Sequence, residues 1–150
     1  MTDAFAGTGA VADTAGTALY QQVQHFYAQQ MQLLDDGHAE EWARTFTDDG
    51  VFEVGGEAVR GAADIAVAAR RTTDKFAADG IQRRHWTGML TVSGTAGGDE
   101  VTARCYAVVL ETPAGGDPVV RRSTVCADTL VRTGGRWQVR HRRVTRDGLD

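Results

Sequence analysis

The sequence has only two prolines, two cysteines and one lysine, and it has no long apolar run. Cys105 and Cys126 are too few for a disulfide framework, and their spacing is not that of a metal-binding motif. No apolar stretch approaches the ~20 residues that a membrane helix needs. The N-terminus lacks the positively charged start and apolar core of a signal peptide. We therefore expect a cytoplasmic protein with reduced thiols and no membrane association.

Neither a nucleic-acid partner nor a bound cofactor or metal is expected. The net charge is −4, and no aromatic residues are interleaved with the arginines near the C-terminus to stack on bases. Gly7-Thr8-Gly9 imitates a dinucleotide loop, but no strand precedes it. Asp48-Asp49-Gly50 lacks the further oxygen ligands of a calcium loop. A solvated strand face explains the basic cluster, which comprises Arg136, Arg140, Arg142, Arg143 and Arg146.

The chain divides into a short tail and one domain. Residues 1–16 are small, polar and rich in glycine, alanine and threonine, which predicts a flexible N-terminal tail. Residues 17–150 suit a single domain, and a hydrophobic content of 42% for the whole chain is enough for a core.

Two helices separated by a tight acidic turn are predicted at the start of the domain. Apolar residues recur at intervals of three and four, which indicates a first helix with one apolar face. They are Val23, Tyr27, Met31 and Leu34. Asp35-Asp36-Gly37 ends this helix, and Asp36 or Gly37 is expected to cap the second one. Trp42 and Phe46 would form the apolar face of the second helix.

The rest of the domain is read mainly as strands. Asp48-Asp49-Gly50 predicts a turn into a strand at 51–54, and Gly55-Gly56 leads to a short strand at 57–60. A third helix follows, to about Phe76. Long strands joined by hairpins are predicted near 81–93, 99–112, 118–132 and 136–145. This order indicates an α+β fold, in which a curved mixed or antiparallel sheet wraps around three N-terminal helices and encloses a pocket.

His85 is the strongest catalytic candidate. It lies in the first long strand, where alternation places Arg83, Thr87 and Met89 on the same face. Histidine can take up and return protons near neutral pH if a partner on one ring nitrogen fixes its tautomer. Asp35, at the end of the first helix, is a suitable partner. The alternative is a half-exposed strand histidine and an aspartate that only binds the helix-ending turn.

Other side chains are candidates for substrate binding. Aromatic residues at these spacings can line a pocket for a flat apolar substrate, although they are also ordinary core residues. Asp128 alternates inward with Cys126 and is either a second acid or base or the partner of a nearby arginine. His141 points either into the cavity or to a dimer face. The residues predicted to bind substrate are Tyr27, Trp42, Phe46, Phe52, Thr87, Met89, Cys105, Cys126 and Asp128.

Two segments, LLDDGHAEEWARTFTDDGVFEV and RRHWTGM, carry a family resemblance. Together with the short helix between them they resemble the SnoaL-like branch of the NTF2-like superfamily, over roughly residues 17–145. That superfamily includes polyketide cyclases, scytalone dehydratase and ketosteroid isomerase. The resemblance implies a cone-shaped fold in which an aspartate closing the first helix supports a histidine on the first long strand. Asp35 and His85 occupy those positions.

The chain departs from the family pattern at other positions. Scytalone dehydratase adds a second histidine, an asparagine and tyrosines that hold a water, whereas this chain has Cys105, Cys126 and no matching tyrosine. Many SnoaL-like sequences carry an asparagine where this one has Met89. These departures argue against the same dehydration with the same water-holding network.

The resemblance implies a cofactor-independent cyclase, dehydratase or isomerase that acts on a polyketide-like intermediate of natural-product or antibiotic biosynthesis. His85 would be the general acid and base, Asp35 would orient it, and the pocket would fold a small apolar substrate. A homodimer formed by the outer sheet face is expected. The alternatives are a non-catalytic ligand-binding or accessory module, and the small subunit of a larger enzyme.

Overall fold

The computed structural model describes residues 14–94 and 97–150, which form three helices and six strands. The helices are α1 (Thr14–Asp35), α2 (Ala39–Ala43) and α3 (Ala62–Ala78). Helix α1 already includes residues 14–16, which the sequence analysis gave to the tail, while residues 1–13 of that predicted tail lie outside the described part. None of the described helices is both long and apolar enough to cross a membrane.

All six strands belong to one curved mixed sheet with the order β2-β1-β6-β5-β4-β3. Strands β3 to β6 form the predicted antiparallel meander, whereas β1 pairs with β6 in parallel. The α+β architecture predicted from the sequence is therefore confirmed. The strands are β1 (Phe46–Val54), β2 (Glu57–Arg60), β3 (Ile81–Gly94), β4 (Glu100–Pro113), β5 (Val119–Thr133) and β6 (Arg136–Arg146).

The end of α1 is fixed by the backbone of the turn that follows it. Gly37 has a φ of 89°, in the left-handed region that glycine tolerates best. Its N–H donates to the Leu34 carbonyl at 3.2 Å, and the His38 N–H donates to the Leu33 carbonyl at 2.8 Å. These two bonds make a Schellman motif. They set Asp35 as the last residue of α1, with its side chain beside β3.

Helix α2 and strand β1 differ from the prediction. His38, and not Asp36 or Gly37, is the N-cap of α2, because the preceding residues close α1. Helix α2 ends at Ala43, so Phe46 begins β1 and is not part of a helical face. Asp48-Asp49-Gly50 lies inside β1, where an irregularity interrupts the pairing with β6 between Phe46 and Val51. The polar triplet therefore marks a bulge instead of a turn.

The apolar core lies between α1 and one end of the concave sheet face. Leu19 and Val23 of α1 pack into the same cluster as the row Val101–Leu130–Val139 from β4, β5 and β6. Full burial of each such side chain contributes roughly 1.5–3 kcal/mol. Beyond this sealed end the helices and the sheet diverge, and a cavity opens between them.

Candidate active site

The cavity between the helices and the concave sheet face has a volume of about 540 Å³. Helix α1 contributes Tyr27, Met31 and Leu34 to its wall, and strand β1 contributes Phe52 and Val54. Most of this lining is apolar, so polar groups that do reach the cavity are conspicuous. Cavities of this size and character are typical of small-molecule sites.

Strand pairing orders the inward-facing residues of the sheet into rows across it. Successive rows are two residues apart, or about 6.8 Å along a strand. The first row lies next to the apolar core and the last lies near the open end. From the core outward, the rows are Ala103–Asp128–Arg142, Cys105–Cys126–Val144, Thr87–Ala107–Thr124–Arg146 and His85–Val109–Arg122. The cavity therefore has a closed end at Arg142 and an open end at His85.

At the open end, Asp35 holds His85 through two hydrogen bonds. The ring Nδ1–H donates to Asp35 Oδ1 at 2.5 Å, and the His85 backbone N–H donates to Asp35 Oδ2 at 2.9 Å. Because an ionised carboxylate only accepts hydrogen bonds, Nδ1 carries a proton, and in the neutral ring the lone pair lies on Nε2. Nε2 has no hydrogen-bond partner within residues 14–94 and 97–150, and His85 lines the cavity. This arrangement can accept a proton from a bound molecule.

The elements that carry this dyad are tied together. Gln82 Nε2 donates to the Asp35 carbonyl at 3.0 Å, which joins the end of α1 to β3. Arg83, on the same face of β3 as His85, stacks over the Phe76 ring of α3 with its guanidinium carbon 4.3 Å from the ring centroid. Burial lowers the pKa of Arg83, while the negative charges of Asp35 and Glu111 raise it. The dyad thus lies at the junction of α1, α3 and β3.

At the closed end, Arg142 is the centre of a buried polar network. Its Nε and Nη2 donate to both carboxylate oxygens of Asp128 at 2.8–3.2 Å, and Nη2 also donates to Gln30 Oε1 at 2.8 Å. Tyr27 donates its hydroxyl proton to Asp128 at 2.5 Å. Burial opposes the charge of Arg142, but Asp128 raises the pKa of Arg142 well above its usual value. Burial and the Asp128 charge also raise the pKa of Tyr27 far above its usual value.

A pair of thiols lies one row outward from this network. Cys105 and Cys126 are directly opposite each other on β4 and β5, and both line the cavity. The interaction between the two thiol groups lowers the pKa of Cys105 and raises the pKa of Cys126, and burial raises the pKa of Cys126 further. The two thiols are free cysteines.

The structure brings most of the predicted substrate-binding residues to the cavity but places three elsewhere. Phe46 is buried behind Trp42, with a ring-centroid distance of 5.1 Å, and does not line the cavity. Asp128 lies beneath the cavity wall, paired with Arg142. Met89 is 77% exposed on the outside of the sheet. The remaining residues line the cavity, namely Tyr27, Trp42, Phe52, Thr87, Cys105 and Cys126; their contact with substrate stays a prediction.

Met89 lies outside because β3 is irregular at this point. Pairing with β4 slips between Gly88 and Thr91, and Met89 has a φ of 53°. An inserted residue in a strand reverses which side chains face inward beyond it. The prediction that Met89 shares the face of His85 assumed unbroken alternation and is wrong.

Sequence reasoning missed Arg142 and Gln30. Arg142 was assigned to a solvated arginine face, yet it is only 3% exposed. A signal for Gln30 was present in the sequence, because it lies in the apolar stripe of α1, three residues after Tyr27 and four before Leu34. A polar residue in such a stripe needs a buried partner.

A second histidine–carboxylate pair lies on the outer face of the sheet. His141 Nε2 is 3.1 Å from Glu53 Oε2, and the hydrogen bond from His141 lowers the pKa of Glu53. His141 therefore points away from the cavity. Of its two predicted orientations, the one into the cavity is wrong. No group of three or more metal-binding side chains is present within residues 14–94 and 97–150.

Comparison with protein families and known structures identifies relatives over most of the chain. The model of the SnoaL-like domain family matches residues 17–143. ActVI-ORFA from Streptomyces coelicolor is 37% identical, with a TM-score of 0.81, over 89% of this chain and 98% of that one. No significant match was found among curated proteins.

Two further solved structures resemble the chain. A protein from Catenulispora acidiphila, in complex with S-DNPA, is 36% identical with a TM-score of 0.78, over 87% of this chain and 95% of that one. An NTF2-like protein with a cystatin-like fold, from Novosphingobium aromaticivorans, is 30% identical with a TM-score of 0.73, over 85% and 82% of the two chains. The NTF2-like fold expected from the sequence is therefore confirmed.

Proposed function

The chain belongs to the SnoaL-like domain family, and from this we propose that it is a cofactor-independent cyclase, dehydratase or isomerase acting on a polyketide-like intermediate. The observation that carries the proposal is the Asp35–His85 dyad at the cavity wall. A ring nitrogen with a free lone pair faces a space of about 540 Å³ that is lined largely by apolar groups. A ligand-binding module would need the cavity but not the oriented base.

In the proposed mechanism, His85 Nε2 removes a proton from a carbon next to a carbonyl group. The C–H electron pair moves onto the carbonyl oxygen to form an enolate, and Asp35 stabilises the imidazolium. The same nitrogen then returns the proton to another carbon or gives it to a departing hydroxide. In a ring closure, the enolate carbon attacks an internal carbonyl carbon, and the oxygen of that carbonyl takes the proton from His85. Acid–base help of this kind contributes about 100- to 10,000-fold. Apolar walls that fold the substrate contribute by positioning.

The size and lining of the cavity support a flat, largely apolar substrate. Trp42 and Phe52 lie edge to face at 5.7 Å and both line the cavity. The complex of the Catenulispora acidiphila relative with S-DNPA shows that a protein 36% identical to this chain binds a ligand. These observations favour an occupied cavity over a purely structural domain.

The test is turnover of a panel of aromatic polyketide intermediates by the wild type and by His85→Ala, followed by mass spectrometry. The expected result is product from the wild type and a loss of about 100- to 10,000-fold in His85→Ala. His141→Ala is the matched control, because it removes a carboxylate-paired histidine from the outer face, and it should retain full activity. Unchanged turnover by His85→Ala would reject the proton-transfer mechanism. A wild type that binds members of the panel and converts none would favour the ligand-binding alternative.

We also propose that the protein is a homodimer formed by the outer face of β3 to β5. Trp86, Tyr106 and Val120 are 69%, 47% and 61% exposed on this face. Light scattering should give about twice the chain mass of 16.1 kDa. Trp86→Glu should give the monomer mass, whereas Val67→Glu, which places the same charge on an exposed position of α3, should not. A wild-type monomer would overturn the dimer.

A further inference from the structure

We infer that Arg142 is a substrate-binding residue that holds an oxygen atom at one end of the substrate. The carbon that His85 deprotonates lies at the opposite end. The substrate would then be a fused-ring molecule with oxygen at both ends. The inference rests on the proposed function, since it assigns the second end of the same site.

The donor count of the guanidinium points to a missing acceptor. Arginine has five N–H groups, and Nε and Nη2 account for three of them in bonds to Asp128 and Gln30. The two on Nη1 have no acceptor anywhere in residues 14–94 and 97–150. In that part of the chain, the fully buried side-chain nitrogen and oxygen atoms without a hydrogen-bond partner are Trp42 Nε1 and Thr73 Oγ1. Nη1 of Arg142 is not among them, so it is not fully buried. Because Arg142 is nearly buried and lines the cavity, Nη1 is reached from the cavity.

The network holds the guanidinium in a fixed position. Asp128 accepts hydrogen bonds from Nε and Nη2 of Arg142, and Gln30 accepts a further hydrogen bond from Nη2. Gln30 is itself held, because its amide donates to Thr45 Oγ1 at 2.6 Å. Little side-chain entropy is lost when a ligand oxygen accepts from Nη1, because the arginine is already ordered. Such a preorganised, buried donor is suited to binding and not only to stability.

Helix α1 connects the two ends of the site. Tyr27 forms a hydrogen bond with Asp128, the partner of Arg142, and Asp35 forms one with His85. Each end of the site is therefore attached to the same helix. Asp35 comes eight positions after Tyr27, which corresponds to a rise of about 12 Å along the helix axis at 1.5 Å per residue. Met31 and Leu34 form an apolar wall along this interval. A flat fused-ring skeleton with an oxygen at each end suits a cavity with a polar group at both ends and an apolar wall between them.

An oxygen at Arg142 also has a chemical role when it is conjugated with the reacting carbon. Removal of the C–H proton by His85 leaves an electron pair that spreads through the ring system. If this pair reaches a carbonyl oxygen at the far end, the negative charge develops beside the N–H groups of Nη1. Hydrogen bonds to a charged oxygen are stronger than those to a neutral one. Arg142 would then stabilise the enolate more than the substrate.

The test compares two probes by isothermal titration calorimetry, 2,6-dihydroxynaphthalene and 2-naphthol. Wild type should bind the dihydroxy probe about tenfold or more tightly, since its second oxygen reaches a charged donor. A variant with Asp128→Leu and Arg142→Met together removes the ion pair without leaving one charge unpaired. It should bind both probes with affinities within about twofold of each other. Equal affinities in the wild type, or a tenfold preference kept by the double variant, would overturn the inference.

A second variant covers the case in which the double variant does not fold. Arg142→Lys keeps a positive charge for Asp128 but lacks the Nη1 donors, so the tenfold preference should also disappear. Retention of the preference by Arg142→Lys would overturn the inference as well. The binding assay needs no turnover. A wild type that prefers the dihydroxy probe but converts no substrate would reject the proposed function alone, and an active wild type without the preference would reject only the role of Arg142.

Discussion

The two ends of the cavity use similar groups in different ways. At the open end, Asp35 binds His85, and their side chains are 6% and 14% exposed. At the closed end, Asp128 binds Arg142, and their side chains are 0% and 4% exposed. His85 keeps a ring nitrogen that can exchange a proton with a ligand. Asp128 has both oxygens occupied, and burial keeps Tyr27 protonated because it raises the pKa of its hydroxyl.

A charged pair in a cavity wall is not by itself sufficient for proton transfer. The proton must also be able to leave the pair, and this requires an unpartnered basic atom in contact with the cavity. His141 and Glu53 make the complementary point, since they form a histidine–carboxylate pair that faces away from the cavity. Of these three pairs, only the one at the open end places an unpartnered ring nitrogen at the wall of the cavity between the helices and the sheet. This contrast supports the proposals that catalysis takes place at the open end and that the closed end anchors the substrate.

The largest expected effect is a difference in the loss of stability between Asp128→Ala and Asp35→Ala. Asp128→Ala leaves the positive charge of Arg142 buried without its partner, which costs about 3–5 kcal/mol. Asp35→Ala removes an acceptor at a site that reaches the cavity, and should cost about 1–3 kcal/mol. Urea unfolding measures both. Equal losses for the two variants would contradict the difference in burial between the closed end and the open end.

A smaller effect is expected at Asp35, where a substitution should lower activity more than stability. Asp35→Asn keeps the shape of the side chain but removes the charge that stabilises the imidazolium, so turnover should fall by about 100-fold. Stability should change little, because the amide oxygen still accepts from the His85 backbone. Steady-state kinetics and thermal unfolding of the same preparation provide the two readouts. An Asp35→Asn enzyme with wild-type turnover would show that the carboxylate is only structural.

The smallest effect is the alkaline limit of stability. The pKa of Tyr27 is far above its ordinary value of about 10, so above pH 10 the unfolded chain loses this proton while the folded chain keeps it. The unfolded state then binds fewer protons, and stability falls by up to about 1.4 kcal/mol per pH unit for this group. Tyr27→Phe should show a shallower decline between pH 10 and 11 in urea unfolding. Parallel curves for the two proteins would contradict the burial of the Tyr27 hydroxyl at the closed end.

Local patterns in the sequence were sufficient to predict the architecture. The apolar stripe of α1, the glycine turns and the alternating strands are short-range signals, and they predicted the helices and the meander. Asp35 and His85 could be paired in advance because a helix end and the middle of a strand are easily located. The family resemblance then placed these two positions together.

Irregularities and long-range pairing were not predictable in the same way. Met89 faces outward because of a slip in the pairing of β3 and β4, which alternation along one strand does not reveal. Arg142 is buried because another irregularity, between Thr129 and Leu130, aligns it with Asp128. Neighbouring arginines with the same local composition stay exposed. Whether an arginine side chain is buried or exposed depends on how its strand pairs with the adjacent strand and not on its neighbours in sequence.

The assignment of proton transfer to the open end is tested most directly by deuterium incorporation. A ketone-containing polyketide intermediate that the wild type binds is incubated in D₂O with wild type or His85→Ala, and exchange at the carbon next to the carbonyl is followed by NMR. Wild type should accelerate the exchange, and His85→Ala should reduce that acceleration by at least about 100-fold. Equal exchange rates with the two proteins would show that His85 does not move the proton, and the catalytic assignment of the open end would be wrong.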